Sequence, residues 1–165
     1  MTDTLTALLR GLDADDRAGE SESDGRVADS EGTVLVVSCS MVGQRETPAW
    51  VTETARPTAH VGTLAGQTRE CRDGGHAVHA GIAGCASERD LDAVLVVGHT
   101  DCTVLADAHE TCVDPDTAHP PGIETRLAPL TSLVETAIDA GVVDESGLSP
   151  DSRRRLAEYS VVRHA

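Results

Sequence analysis

Two short apolar runs constrain this chain more than any other feature. The first is Thr33-Val34-Leu35-Val36-Val37-Ser38-Cys39, and the second is Ala93-Val94-Leu95-Val96-Val97-Gly98-His99-Thr100-Asp101-Cys102. Both are rich in Val and Leu, short, and uninterrupted by charge. That pattern belongs to parallel strands covered on both faces. Each run ends on residues that bind soft metals. If the two strands are neighbours in one parallel sheet, their carboxyl ends lie ~5 Å apart. Cys39, His99 and Cys102 then converge on one point, where zinc would take sulfur at about 2.3 Å and nitrogen at about 2.0 Å. Three protein ligands with a fourth position left open is the catalytic pattern for zinc, whereas four protein ligands make a structural site. Open α/β sheets also place their sites beyond the carboxyl ends of strands.

The elements around these runs predict an α/β fold of three layers with a mostly parallel central sheet. The chain of 165 residues reads as residues 1–32, an N-terminal helix plus acidic linker, followed by one α/β domain over 33–165. Leu5, Leu8, Leu9 and Leu12 have helical spacing, with Asp3 as a cap. Residues 14–32 are nearly devoid of apolar groups and read as a solvated linker. A loop follows Cys39, then a short helix from Pro48. Residues 58–65 predict a second strand closed by Gly66, residues 69–75 a polar connection, and 76–90 a small-residue helix. A helix is expected after Cys102 through about Glu110, with Asp101 and Thr100 where caps belong, then a Pro-rich loop over 112–125, an amphipathic helix over 126–140 and a last helix over 151–164, capped by Asp151 or Ser149. Strand–helix alternation of this kind implies right-handed crossovers.

Charge narrows the partners. The formal net charge is −15, all 13 basic residues are Arg, and there is no Phe, one Trp and one Tyr. Such a surface repels nucleic acid and anionic membranes, so neither is expected as a partner. Acid excess without Lys, over a core of small aliphatic groups, fits a halophile's salt-rich cytoplasm; a GC-rich codon bias in an ordinary acidic protein is the alternative. No apolar run approaches the ~20 residues of a membrane span, and the N-terminus lacks the pattern of a secretory signal. The five cysteines are scattered, which predicts a cytoplasmic chain whose thiols serve as ligands or buried apolar groups rather than disulfides. Cys71 and Cys85 belong to the buried class. His109-Glu110-Thr111-Cys112 repeats the His-x-x-Cys spacing without a strand behind it and reads as a solvated helix end. His76 and His79 read as helix surface, and Arg153-Arg154-Arg155 as a solvated face.

The strand Val94-Leu95-Val96-Val97 followed by Gly98-His99-Thr100-Asp101-Cys102 resembles the zinc motif of the β-class carbonic anhydrases. In that family one ligand pair lies in Gly-His-x-x-Cys and the other ligand is a Cys at the end of the first strand, as Cys39 is here. The interval between the motifs and the Gly-rich segment 62–66 also fit, and the resemblance covers about residues 30–110. It implies an α/β sheet, one Zn2+ per subunit on Cys39, His99 and Cys102, a homodimer or higher homo-oligomer, and reversible hydration of CO2 to bicarbonate. The departures are specific. The family's Cys-x-Asp-x-Arg reads here Cys39-Ser40-Met41-Val42-Gly43, so Met41 holds the Asp place and Gly43 the Arg place, with Arg45 two residues late. Thr103 stands where a Gly usually follows the second Cys ligand, and the family's last strand is missing after the final helix. Loss of the Asp–Arg pair leaves two other readings open: a relative that binds zinc without catalysis, in a structural or regulatory role, and a hydrolase of a CO2-like molecule such as CS2 or COS, for which an apolar Met41 would be suited.

Overall fold

The computed structural model describes residues 4–10, 32–41, 57–72, 75–114 and 116–165, with backbone only for 4–10, 71–72 and 121. Its sheet is built on the two runs identified above. Strand β2 (Thr33–Cys39) lies between β3 (Thr58–Thr63) and β6 (Leu91–His99), parallel to both. Strand β1 (Thr4–Arg10) pairs antiparallel with the other side of β6, giving the order β1-β6-β2-β3. Leu35, Val36 and Val37 of β2 and Leu95 and Val96 of β6 are fully buried. Consecutive buried residues mean that both faces are covered, which is why these strands read as unbroken apolar runs rather than alternating ones.

The described residues also form four helices: α1 (Ala80–Glu88), α2 (Thr103–Val113), α3 (Pro121–Asp139) and α4 (Pro150–His164). Ile82 of α1 packs on Leu35, Val37 and Ala59, one face of the sheet. Helix α4 lies against β6 and β1. The largest apolar cluster sits beyond the strand ends. It joins Val104, Leu105 and Ala108 of α2 to Leu127, Leu130, Val134 and Ala137 of α3 and to Leu156 and Ala157 of α4. Cys39, Ala65 and Cys102 belong to that cluster, so the sulfurs are set into the core.

Several expectations are corrected. The N-terminal helix is a strand: Thr4–Arg10 runs along β6 from Thr4 opposite His99 to Arg10 opposite Ala93. The segment satisfies both periods, since its apolar positions fit a helix and Thr4 and Thr6 favour a strand. The open edge of a buried apolar strand decides between them, because its amides and carbonyls need partners. The polar segment at 69–75 belongs to a hairpin of β4 (Arg69–Arg72) and β5 (Gly75–Val78). Asp73-Gly74 between the strands is a strong hairpin signal. The helix expected from 76 therefore begins at Ala80. Helix α3 starts at Pro121 rather than 126, because a proline is well suited to a first helical turn. The final helix begins where expected, with Ser149 Oγ accepting from the Ser152 amide at 3.1 Å. The linker at 14–31 and the helix from Pro48 lie outside the described residues.

Candidate metal centre

Each of the three candidate ligand side chains is delivered by a strand end or the turn that follows it. Cys39 is the last residue of β2, and His99 the last of β6. The β2–β6 register, with Ser38 opposite Val97, brings those ends side by side. Two turn residues follow His99, and Cys102 then stands as the N-cap of α2. Asp101 and Thr100, the caps expected from sequence, thus precede the cap position.

The donor atoms of Cys39, His99 and Cys102 all lie within 4.8 Å of one another, and the three residues are 1%, 6% and 6% exposed. The two sulfurs are 3.9 Å apart. Two sulfurs held at 2.3 Å on a tetrahedral ion would be about 3.8 Å apart, so the pair already has the spacing zinc requires. Nε2 of His99 is buried and has no hydrogen-bond partner. An orphaned buried polar atom of this kind costs about 1–3 kcal/mol, and metal coordination is a direct way to relieve it. These residues therefore fit a zinc ion, and among the described residues they are the one cluster that could hold a metal.

Electrostatics favours one thiolate in the pair. The Cys102 thiol, hydrogen-bonded to Cys39, holds the Cys39 sulfur well below the ordinary thiol range, against the opposing effect of burial. The His99 ring and the Met41 and Ala65 amides act in the same direction. The same contact and burial push Cys102 up, while the Val104 and Leu105 amides of the first turn of α2 favour its anion. The sulfurs titrate as a pair. A turn supplies the Ala65 amide. Residues Leu64–Gly66 form a short 3-10 helix after β3, with Ala65 at φ 53 and Gly66 at φ 77. At Gly66 a side chain would also approach the Val97 carbonyl at 3.4 Å.

Met41 lies two residues past Cys39 and is 64% exposed. Gly43 and Arg45 lie outside the described residues. The second His-x-x-Cys makes no metal cluster. His109 is buried rather than solvated, and its Nε2 donates to the Asp144 carbonyl at 2.9 Å. His76 is on β5, and His79 caps α1 by accepting from the Gly81 amide at 3.2 Å. Cys85 of α1 packs against the cluster of Leu35, Val37, Ala59 and Ile82, and Cys39, Cys85, Cys102 and Cys112 are free thiols. Sequence reasoning missed a neighbouring cavity of about 410 Å³, lined by Ser40, Thr63, Gln67, His79 and Arg126 among others. It adjoins the candidate ligands through Thr63, the register partner of Cys39. Its residues come from separate elements, so no local motif announces it.

No helix among the described residues is long and apolar enough to cross a membrane. No family model matches the chain, no curated protein matches it, and no solved structure matches it.

Proposed function

We propose that this chain holds zinc on Cys39, His99 and Cys102 in a reducing cytoplasm and uses it for the reversible hydration of CO2 to bicarbonate. The observation that carries the reading is the buried Cys–His–Cys cluster, with its sulfurs at 3.9 Å and no fourth donor in the cluster among the described residues. The resemblance of Gly98-His99-Thr100-Asp101-Cys102 to the β-class carbonic anhydrase motif supplies the reaction.

A zinc ion held by these three residues would supply Lewis-acid chemistry that lowers the pKa of water to about 7. The chain's own contribution is placement. Two strand ends and a helix N-terminus fix the three donors, and the apolar side chains of Val104, Leu105 and Ala108 keep bulk water from one side of them. Met41 can neither accept nor donate a proton where the family carries a carboxylate. A positioned acid–base group is worth typically 10²–10⁴-fold, so turnover slower than the family's by about that factor is expected.

A second reading is favoured by the exposed Met41: a zinc protein that does not catalyse. Stopped-flow CO2 hydration in concentrated KCl, with zinc quantified on the same sample, separates the two. A rate above buffer that scales with zinc content supports the enzyme. Full zinc occupancy with no rate above buffer transfers the protein to the second reading.

A further inference from the structure

We propose that Cys39 and Cys102 are also a modification site, at which a small neutral two-electron oxidant such as hydrogen peroxide joins them in a disulfide and dismantles the metal centre. The release of metal rests on the zinc reading above; the cross-link itself does not.

The geometry selects this pair. Their sulfurs are 3.9 Å apart and in contact, the one such sulfur pair among the described residues. Each sulfur needs to move by about 1 Å to reach the roughly 2.05 Å of a disulfide bond. Cys39 ends a strand and Cys102 lies in the turn between β6 and α2, before the first helical residue. A shift at Cys102 therefore breaks no strand pairing. The other described thiols are placed differently: Cys85, on α1, packs against the sheet, and Cys112 lies at the far end of α2. Burial sets the class of oxidant. At 1% and 6% exposure the two sulfurs are closed to bulky disulfide reagents but reachable by a molecule close to water in size.

The chemistry balances with peroxide as the oxidant. One sulfur, as its thiolate, attacks a peroxide oxygen; an S–O bond forms, the O–O bond breaks, and the departing hydroxide takes a proton to become water. The product is a sulfenic acid. The second sulfur then attacks the first; the S–S bond forms, the S–O bond breaks, and the departing hydroxide leaves as water with the second thiol's proton. Two thiols lose two electrons and two protons, and peroxide is reduced to two waters. A disulfide no longer offers the two thiolates that the ion requires, so zinc departs with the cross-link.

The test uses the full-length zinc-loaded protein, titrated with hydrogen peroxide. Alkylation counts the remaining thiols, non-reducing peptide mapping locates any cross-link, and a chromophoric chelator follows released zinc. The expected result is a peptide pair joined through Cys39 and Cys102, the loss of two hydrogens by mass, and release of zinc in step with the lost thiols. Reductant and added zinc should reverse all three. A variant with Cys71, Cys85 and Cys112 all changed to Ser should behave the same way, with circular dichroism confirming its fold. If Cys39 and Cys102 remain alkylatable, carry unlinked sulfinic acid, or join other cysteines, the proposal is overturned. Zinc binding to the reduced protein is measured separately. Cross-linking in a protein that never bound zinc sinks the metal reading and leaves the disulfide standing, whereas zinc binding without cross-linking does the reverse.

Discussion

At the residue scale, Cys102 and His109 show how one spacing serves two ends. Both belong to a His-x-x-Cys, yet His99 and Cys102 converge with Cys39 while His109 turns into the core. Cys102→Ser should abolish zinc retention, measured after gel filtration without chelator, while leaving the far-ultraviolet circular dichroism unchanged; retained zinc would refute the ligand assignment. His109 joins α2 to the segment between α3 and α4 through the Asp144 carbonyl. His109→Ala removes that donor and leaves a void, so urea unfolding should show a loss of about 1–3 kcal/mol. A further histidine gives a pH signature. Burial first, then the Arg69 charge, lowers His164 from 6.5 to about 4. Between those values the unfolded chain binds the extra proton, so stability rises with pH. The contribution is fully present above pH 6.5 and is lost as pH falls toward 4, on the order of 3 kcal/mol. His164→Gln should flatten the change in Tm across that window; an unaltered slope would assign the acid sensitivity to other groups.

At the scale of elements, β1 is the piece whose role the pattern of residues concealed. It covers the side of β6 away from β2, and Thr4 sits opposite His99 in the register. Removing residues 1–11 leaves that side of β6 without its ladder, an exposed edge prone to pairing with other chains. The truncated protein should scatter light on concentration and melt at lower temperature than the intact chain, and it should hold zinc less tightly because His99 loses its neighbouring strand. A truncation that stays monodisperse with the same Tm would show that β1 is dispensable to the sheet. Strands β2 and β6 contrast with β1: continuous Val–Leu runs have only one use, burial on both faces, and were legible from composition alone.

At the scale of the whole molecule, self-repulsion of the net charge is one of the forces that oppose the fold. The formal charge is −15 on 165 residues. The ion pairs among the described residues, Arg154 with Asp151 and Glu158 and Arg155 with Asp151, are exposed and confined to α4. Such pairs contribute little, with a median of about 0–1 kcal/mol each. Salt screens the self-repulsion, whose range shortens from ~10 Å at 0.1 M salt to ~3 Å at 1 M. Thermal melts in KCl should show Tm rising between those concentrations, as a salt-adapted protein requires; a flat profile would favour the reading as an ordinary acidic protein.

The sequence by itself determined the residues whose chemistry is unusual and the strands whose composition admits one environment. Cys39, His99 and Cys102 could be named because each follows directly on a buried run, and strand ends are fixed by where apolar residues stop. Helix α4 was equally legible through its cap at Ser149. Only the tertiary structure decided the cases in which local preference was balanced. Thr4–Arg10 became a strand because β6 had an unpaired side, and His109 became a core residue because the Asp144 carbonyl needed a donor. The cavity beside Cys39 required elements far apart in sequence to meet. Local spacing carries the energy of a residue's own backbone and neighbours, whereas the partner that satisfies an edge, a carbonyl or a metal is supplied by the packing of distant segments.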